Sequence, residues 1–225
     1  MIRAENLSIG YDKCPVAENI NFNINSGDYV CIIGENGAGK STLVKTMLGL
    51  IPPVSGNLKI SDDISIGYLP QQTTLQKDFP ATVKEIVMTG LLPKKKGFFY
   101  TKKDKKMAME KLSIMGIEDL AEKNFKHLSG GQQQKVLMAR ALCISGDAML
   151  LDEPVTGLDP NATDDLYAMV KKLHDRGISI IMVSHDRNAI TRDSDHIMYI
   201  GDAFFYGTNK EFIASENSGF IRKGA

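Results

Sequence analysis

The sequence of 225 residues predicts an α/β fold, and two observations lead to this prediction. From residue 129 onward, segments with helical periodicity alternate with short apolar runs, which is typical of a parallel sheet covered by helices. Earlier in the chain, residues 28–48 have the pattern of a buried strand, a glycine-rich turn and a helix. The length is sufficient for one sizeable core with an inserted subdomain.

The remaining elements follow from their periodicity. Residues 1 to about 70 predict short strands with alternating apolar positions, at Leu7/Ile9, Ile20/Phe22/Ile24, Leu58/Ile60 and Ile64/Ile66/Tyr68. Residues from about 73 to 127 are predicted to be helical, with amphipathic segments at 82–91 and 101–115. Near the end of the chain, residues 196–206 predict a hairpin that turns at Gly201-Asp202.

The glycine-rich turn fits a phosphate-binding loop. It follows the pattern G-x-x-x-x-G-K-[ST] between a predicted strand and a predicted helix, as the motif requires. Its residues are Gly34, Glu35, Asn36, Gly37, Ala38, Gly39, Lys40 and Ser41, followed by Thr42. The glycines let backbone N–H groups point at phosphate oxygens, and the helix N-terminus adds a favourable partial charge. We expect Lys40 to reach the β- and γ-phosphates and the Ser41 hydroxyl to bind Mg²⁺.

An acidic pair ends a second apolar strand. Residues 149–151 are Met-Leu-Leu, and Asp152 and Glu153 follow directly. Because ligands of open α/β sheets bind at the carboxyl ends of strands, we expect both carboxylates at a nucleotide site. Asp152 would face Mg²⁺, directly or through water, and Glu153 would polarise the attacking water. Taken alone, the pair is also compatible with an ordinary polar strand end before Pro154.

A third motif, Leu-Ser-Gly-Gly-Gln, occupies residues 128–132 and precedes a helix that is predicted over 132–142. Small residues before a helix N-terminus suit a phosphate group. Ser129 is also a good N-cap, and the two interpretations are compatible.

With the phosphate loop upstream and the acidic pair downstream, this motif resembles that of ATP-binding cassette (ABC) ATPases, over nearly the whole chain. The resemblance implies a P-loop NTPase fold with a RecA-like core, an antiparallel β subdomain and an inserted α-helical subdomain. It implies one nucleotide-binding domain, in which residues 73–127 form the helical subdomain and residues 1–72 and 128–225 form the rest. It also implies a homodimer with ATP and Mg²⁺ at the interface, where Ser129, Gly130, Gly131 and Gln132 contact the ATP of the partner.

The resemblance assigns four further residues. Tyr11 resembles the aromatic residue that stacks on adenine, although it also fits an edge aromatic packed on a sheet. Gln71 resembles the glutamine that senses the γ-phosphate and Mg²⁺ and links to the membrane partner, and its neighbour Gln72 is the alternative. Asp159 resembles part of the loop that touches the opposite subunit. His185 resembles the histidine that contacts the γ-phosphate.

The composition restricts the class of protein. Lys plus Arg and Asp plus Glu number 27 each, and this formal neutrality argues against a dedicated nucleic-acid binder. No apolar run approaches the about 18 residues that indicate a membrane span. The cysteines at 14, 31 and 143 form no CxxC pair, and we expect them to be reduced and buried. The resemblance implies a peripheral protein at the cytoplasmic face of the membrane.

Residues 66–83 narrow the resemblance to one subgroup of ABC ATPases. They contain Ile-Gly-Tyr-Leu-Pro-Gln, Asp-Phe-Pro and Thr-Val, which resemble segments of ATPases from bacterial zinc, manganese and iron importers. This implies membrane permease subunits as partners and, indirectly, an extracytoplasmic metal-binding protein. The chain contains four histidines in total, and the sequence therefore does not identify the transported metal ion. Two alternatives also stay open: an ABC ATPase for another cargo, such as a siderophore, and a nonmembrane ABC protein.

Lysines are concentrated in the predicted helical insert. They are Lys94, Lys95, Lys96, Lys102, Lys103, Lys105 and Lys106, with Phe98, Phe99 and Tyr100 between them. One interpretation is contact with anionic lipid headgroups. The simpler interpretation, which we favour from the sequence, is a solvated helix face with the aromatic residues packed into the subdomain.

Overall fold

The structure is a computed structural model that describes residues 1–71, 80–94, 99–144, 146–185 and 193–215. The described strands are β1 (Ile2–Tyr11), β2 (Cys14–Ile24), β3 (Tyr29–Gly34), β4 (Ser55–Ile60), β5 (Ile66–Leu69), β6 (Ala148–Asp152), β7 (Ser179–Val183), β8 (His196–Ile200) and β9 (Phe205–Thr208). The described α-helices are α1 (Lys40–Met47), α2 (Val83–Thr89), α3 (Lys102–Ile114), α4 (Gly130–Ile144), α5 (Pro160–His174) and α6 (Asn209–Ala214).

The chain divides into two compact units, one formed by Met1–Ile64 with Gly177–Ala225 and the other by Ser65–Arg176. The predicted helical subdomain, residues 73–127, falls within the second unit, and its own boundaries stay a prediction. Among the helices of the described residues, none combines the length and the apolar composition of a membrane span.

The first unit contains an antiparallel sheet in which β1 lies between β2 and β4. Asp12 and Lys13 connect β1 to β2 with φ values of 49° and 66°. Two positive φ values in a two-residue connection are the geometry of a tight hairpin whose twist matches that of its strands. Tyr11 is therefore the last residue of β1.

The same unit contains a parallel arrangement around β3. Strands β7 and β8 pair with β3 in parallel, and β9 pairs with β8 antiparallel. All six residues of β3 are buried, which agrees with its continuous apolar sequence. The hairpin predicted over 196–206 is confirmed, with β8 ending at Ile200 before the predicted turn.

The second unit contains the parallel pair β5 and β6, together with helices α2 to α5. Two glycines let the neighbouring elements approach α4. A Cβ at Gly67 would lie 2.4 Å from the carbonyl oxygen of Ala141, and one at Gly90 would lie 2.1 Å from that of Arg140. Real Cβ atoms do not approach backbone oxygens so closely, so each contact requires glycine.

The predicted amphipathic segments at 82–91 and 101–115 are confirmed as α2 and α3, which are slightly shorter. Each starts with a capping box, formed by Thr82 with Glu85 and by Thr101 with Asp104. A capping residue has extended backbone, so the first predicted residue lies outside each helix. The hydrogen bonds from Thr82 also lower the pKa of the Glu85 carboxyl.

Three predictions from the sequence need correction. Cys14 is exposed, because it starts β2 beside the hairpin turn, whereas Cys31 and Cys143 are buried as expected. Phe99 is 87% exposed and does not pack into the subdomain. Helix α4 begins at Gly130 and not at residue 132, because Ser129 already provides its cap. Predictions for Gln72, Asp78, Phe79, Lys95, Lys96 and Phe98 lie outside the described residues.

Candidate functional site

The glycine-rich loop connects β3 to α1 in the first unit, as predicted. Gly34, Gly37 and Gly39 have φ values of 151°, 83° and 102°. These left-handed values are readily adopted only by glycine. Gly34 is restricted further, because a Cβ there would lie 2.1 Å from the carbonyl oxygen of Ile200 in the neighbouring strand. The loop geometry therefore depends on the glycines of the motif.

Lys40 is folded back onto this loop. Its ammonium donates hydrogen bonds to the carbonyl oxygens of Gly34 (2.9 Å) and Glu35 (2.8 Å), and the residue is 7% exposed. A buried charge requires hydrogen-bond partners, and the carbonyl oxygens supply them. The cation is thus held at the mouth of the loop. Ser41, next to it in the first turn of α1, is exposed, whereas Thr42 is buried.

Tyr11 is 46% exposed at the end of β1. Its hydroxyl accepts a hydrogen bond of 3.4 Å from the ammonium of Lys45, which lies 5.9 Å from the ring centroid. Hydrogen bonds with Thr42 and Lys45 lower the pKa of the Tyr11 phenol. An exposed aromatic ring tied to α1 is a suitable platform for a flat heterocycle.

A polar cavity of about 500 Å³ adjoins the phosphate loop within the first unit. Its lining comes from one segment of β2 and from the end of β8 with the following turn: Pro15, Val16, Ala17, Glu18, Asn19, Ile200, Gly201, Asp202, Ala203 and Phe204. Val16 and Ala17 also lie within 4 Å of the position that a Cβ on Gly39 would occupy. Sequence reasoning did not indicate this cavity, because its walls come from segments that are distant in the chain.

His185 is exposed two residues after β7. The register pairs Val183, the last residue of β7, with Ile32 of β3, and the phosphate loop starts two residues after Ile32. His185 and the loop therefore leave the same carboxyl edge of the parallel strands, where ligands of open α/β sheets bind.

In the second unit, Asp152 is the last residue of β6 and is 8% exposed. The Tyr68 hydroxyl donates a hydrogen bond of 3.4 Å to its carboxylate. Burial and the neighbouring Asp152 charge raise the pKa of Tyr68 to about 12. Tyr68 therefore stays protonated and keeps donating to this carboxylate. Sequence reasoning identified Tyr68 only as a strand residue.

Gln71 and Glu153 meet in the second unit. Strands β5 and β6 pair in parallel, so the residues that follow them lie at one edge. The Gln71 amide donates a hydrogen bond of 2.8 Å to Oε2 of Glu153, and the Thr156 hydroxyl donates one of 3.3 Å to the same oxygen. The sequence predicted both Gln71 and Glu153 as site residues, but it did not indicate Thr156.

The backbone of Glu153 is left-handed, with φ of 48°. This conformation is uncommon for residues other than glycine and costs about 1 kcal/mol. The neighbouring turn supports it, since the Thr156 N–H donates 3.2 Å to the Glu153 carbonyl oxygen. Such strained positions are concentrated at functional sites.

Ser129 caps α4 by a reciprocal pair of hydrogen bonds. Its hydroxyl accepts from the Gln132 N–H (3.3 Å), and the Gln132 side chain accepts from the Ser129 N–H (3.1 Å). Gly130 and Gly131 occupy the first turn of the helix. A Cβ on Gly131 would lie 3.0 Å from the Cβ of Ala162, so α5 restricts this position to a small residue.

Asp159 has a clear local function, since its carboxylate caps α5 by accepting a hydrogen bond of 3.0 Å from the Ala162 N–H.

Gln134 was not predicted as a site residue. Its buried amide donates 2.6 Å to the Pro154 carbonyl oxygen, which joins α4 to the segment after Glu153. The second unit thus contains Gln71, Asp152, Glu153, Asp159 and residues 129–132.

The described residues contain no group of three or more His, Cys, Asp or Glu side chains that could hold a metal ion. This result is compatible with the predicted Mg²⁺ site, which does not require three such side chains. Mg²⁺ is usually bound by one or two protein carboxylates together with substrate phosphates and water. Asp152 offers a carboxylate in the second unit, and Ser41 offers an exposed hydroxyl in the first unit.

Comparison with known proteins decides the family. A family model for the ABC transporter matches residues 17–156, which is more than half of the chain. The chain belongs to the ABC transporter family. As a member, it is an ATPase subunit whose hydrolysis of ATP is coupled to transport.

Two relatives within the ABC transporter family are close in sequence. The chain is 37% identical, over 88% of its length and 73% of the relative, to the zinc import ATP-binding protein ZnuC of Marinobacter nauticus. It is 36% identical, over 82% of its length and 77% of the relative, to the manganese transport system ATP-binding protein MntB of Bacillus subtilis.

Solved structures confirm the predicted ABC ATPase fold. One is an inward-facing ABC transporter assigned to the metal-chelate type, with TM-score 0.88, 28% identity and coverage of 98% of this chain and 88% of that one. Another is a dimeric ATP-binding cassette in a post-hydrolysis state with ADP and Pi, with TM-score 0.76, 28% identity and coverage of 93% and 99%.

Proposed function

We propose that this ABC ATPase energises the import of a divalent metal ion (manganese, zinc or iron) through a partner permease in the membrane. Its relatives include import and transport ATP-binding proteins for zinc and for manganese. The observation that carries the coupling to a permease is the 2.8 Å hydrogen bond between Gln71 and Glu153, whereas the metal cargo is supported by these relatives. This hydrogen bond joins the residue proposed to sense the permease to the carboxylate proposed to act in hydrolysis.

The phosphate loop binds the ATP phosphates in this proposal. The Lys40 ammonium exchanges its bonds to the carbonyl oxygens of Gly34 and Glu35 for bonds to the β- and γ-phosphates, which are stronger because both partners are charged. Backbone N–H groups of residues 34–42 surround the phosphates. Tyr11 stacks on the adenine ring.

Glu153 orients and polarises the water that attacks the γ-phosphate, and His185 contacts that phosphate. Gln71 and Thr156 hold the Glu153 carboxylate through one oxygen, so its other oxygen can face the water. Ser41, Gln71 and Asp152 would hold Mg²⁺. The ion, when bound, neutralises charge on the phosphate oxygens.

A homodimer with two ATP molecules at its interface completes each site. In this dimer, Ser129, Gly130, Gly131 and Gln132 face the ATP that is bound by the partner, and Asp159 lies at the opposite subunit. Support comes from the dimeric cassette with ADP and Pi, which is similar to this chain. The exposed start of α4 presents N–H groups that suit phosphate oxygens.

The permease is proposed to contact a cavity of about 280 Å³ in the second unit. Its walls are mostly apolar and include one cation: Tyr68, Leu69, Pro70, Ile86, Thr89, Phe125, Leu137 and Arg140. Gln71 follows this lining directly in sequence. An amphipathic segment of the permease would fit such a groove. The proposal therefore includes a location at the cytoplasmic face of the membrane, as a peripheral subunit. The extracytoplasmic metal-binding protein is an indirect partner, and no nucleic-acid contact is proposed.

Deletion of the gene tests the cargo. Cellular manganese, zinc and iron are measured by mass spectrometry in the deletion strain, after complementation with wild type and after complementation with Glu153→Gln. We expect one of these metals to fall and only the wild-type gene to restore it. Unchanged levels of all three metals would contradict divalent-metal import.

A metal-chelate cargo is the second candidate, because the inward-facing relative of that type has a TM-score of 0.88 to this chain. The same strains distinguish the two. Loss of growth on an iron siderophore, with normal uptake of free Mn²⁺ and Zn²⁺, would favour the chelate.

A further inference from the structure

A basic face lies at the start of α3, in the second unit. We define it as Lys102, Lys103, Lys105 and Lys106 of the helix together with Phe99, which precedes the helix by three residues. The four lysines are exposed, and Phe99 is 87% exposed. Neither the ATP site nor the proposed permease cavity uses any of these residues.

The charge of this face is not compensated locally. Within 4.0 Å, no ion pair joins these lysines to another residue in the described ranges. Asp104 is the acidic residue of the first turn, and its carboxylate accepts hydrogen bonds from the N–H and the hydroxyl of Thr101. The whole chain is formally neutral, so the excess of four lysines over one aspartate is a local feature.

The position of the lysines is unfavourable for the isolated helix. The N-terminal turn of a helix carries a partial positive charge and favours acidic side chains. Four lysines in the first turns of α3 therefore oppose helix formation, and the Thr101–Asp104 capping box and burial of Ala108 and Leu112 offset this cost. Exposure to solvent alone does not favour four lysines at these positions, whereas the lysines would bind an anionic partner.

We propose that the basic face binds the anionic surface of the membrane, with its lysines at lipid phosphates and Phe99 at the headgroup level. Lysine clusters are attracted to anionic leaflets, and aromatic rings prefer the membrane interface. The exposed Phe99 distinguishes a bilayer from an acidic protein loop, which the lysines alone would also suit. The contact adds a second attachment to the one through the permease, and it goes beyond the proposed transport function.

Vesicle flotation of the purified chain tests this contact. The probes are vesicles of phosphatidylcholine alone and vesicles that also contain phosphatidylglycerol, at low and at high salt. We compare wild type with Lys102→Glu/Lys103→Glu, with Lys105→Glu/Lys106→Glu and with Phe99→Ser. The control, Lys171→Glu/Lys172→Glu, makes the same charge change at two exposed lysines of α5, of which Lys171 pairs with Asp175.

Wild type is expected to float with the anionic vesicles and not with neutral ones, and binding should weaken as salt screens the charges. Each double substitution of the basic face should weaken binding about thirtyfold or more, because two attractions become repulsions. Phe99→Ser should weaken it about threefold at either salt concentration, because the lost contribution is not electrostatic. The control should match wild type.

Failure to bind anionic vesicles overturns the proposal, and so does an equal loss in the control. Circular dichroism melting of each variant shows whether it is folded. The two double substitutions of the basic face test the same effect at different positions, so one remains informative if the other unfolds. ATPase activity without membranes should be unchanged in all variants, so this outcome is separate from any failure of the transport assignment.

Discussion

The side-chain amide of Gln71 lies 2.8 Å from the carboxylate of Glu153. Gln71 directly follows the cavity that Tyr68, Leu69 and Pro70 help to line. A displacement of this segment by a bound partner would therefore change the hydrogen bonding of the proposed hydrolytic carboxylate. The relationship offers a short physical connection between transport and ATP hydrolysis.

Glu153→Gln should bind ATP and barely hydrolyse it, because the amide keeps the size of the side chain and loses the charge that orients water. We expect turnover to fall by about a hundredfold or more. Size-exclusion chromatography with ATP and Mg²⁺ should show a dimer that wild type does not accumulate. Glu118→Gln, an exposed acid elsewhere in the second unit, is the control. Normal turnover by a monomeric Glu153→Gln would reject the role.

Thr156→Val should lower kcat about fivefold, because it removes one hydrogen bond that contributes about 1 kcal/mol. Valine keeps the shape of threonine and removes the hydroxyl that contacts Glu153. Thr156→Ser keeps the hydroxyl and should retain most of the activity. Steady-state kinetics should show KM for ATP unchanged in both. If Thr156→Ser is as impaired as Thr156→Val, the hydrogen bond is not the cause.

Lys40→Ala should weaken ATP binding about a hundredfold, because it removes the cation that faces the phosphates. Titration with a fluorescent ATP analogue measures the affinity. Lys59→Ala, an exposed lysine of β4, should bind as wild type does. Equal affinity in wild type and Lys40→Ala would disprove the assignment of the phosphate loop.

Ser129→Arg should abolish hydrolysis and leave ATP binding to the monomer intact, because the loop is proposed to serve the site of the partner. A covalently linked heterodimer with Lys40→Ala sharpens the test. Its one composite site carries both lesions and its other site carries neither, so some activity should return. Lost ATP binding by Ser129→Arg alone would mean that the loop serves its own chain.

Gly67→Ala should destabilise the chain by about 2 kcal/mol or more, since the added Cβ would overlap the backbone of α4. Gly146→Ala is the matched control, because a Cβ there meets nothing within 4 Å. Urea unfolding measures both. A similar midpoint for the two variants would mean that β5 can shift away from α4 without cost.

The sequence predicted the phosphate loop, the acidic pair and the amphipathic helices because each is set by residues that are neighbours in the chain. Alternating and continuous apolar runs predicted β1 and β3, respectively, because burial on one or on both faces determines those patterns. The choice of Gln71 as a site residue came from a resemblance, and its contact with Glu153 depends on the pairing of β5 with β6.

Other features could not be predicted from the sequence. The exposure of Cys14 follows from its position at a hairpin turn, which composition does not show. Thr156 and Gln134 belong to no sequence motif that was recognised. Their hydrogen-bond partners, Glu153 and the Pro154 carbonyl oxygen, are brought to them only by the folded turn. The start of α4 was misplaced by two residues because glycines are poor helix formers, whereas Ser129 and Gln132 stabilise the first turn despite them.

Cys14 pairs with Tyr11 across the hairpin, and it is exposed. Cys143 is buried, and burial raises the pKa of the Cys31 thiol to about 12, so neither should react readily with maleimides. The natural chain thus offers one accessible attachment point for a fluorophore, directly opposite the ring proposed to stack on adenine. A dye on Cys14 should change its emission when nucleotide enters, which would make arrival and departure of ATP observable in real time without engineering the protein.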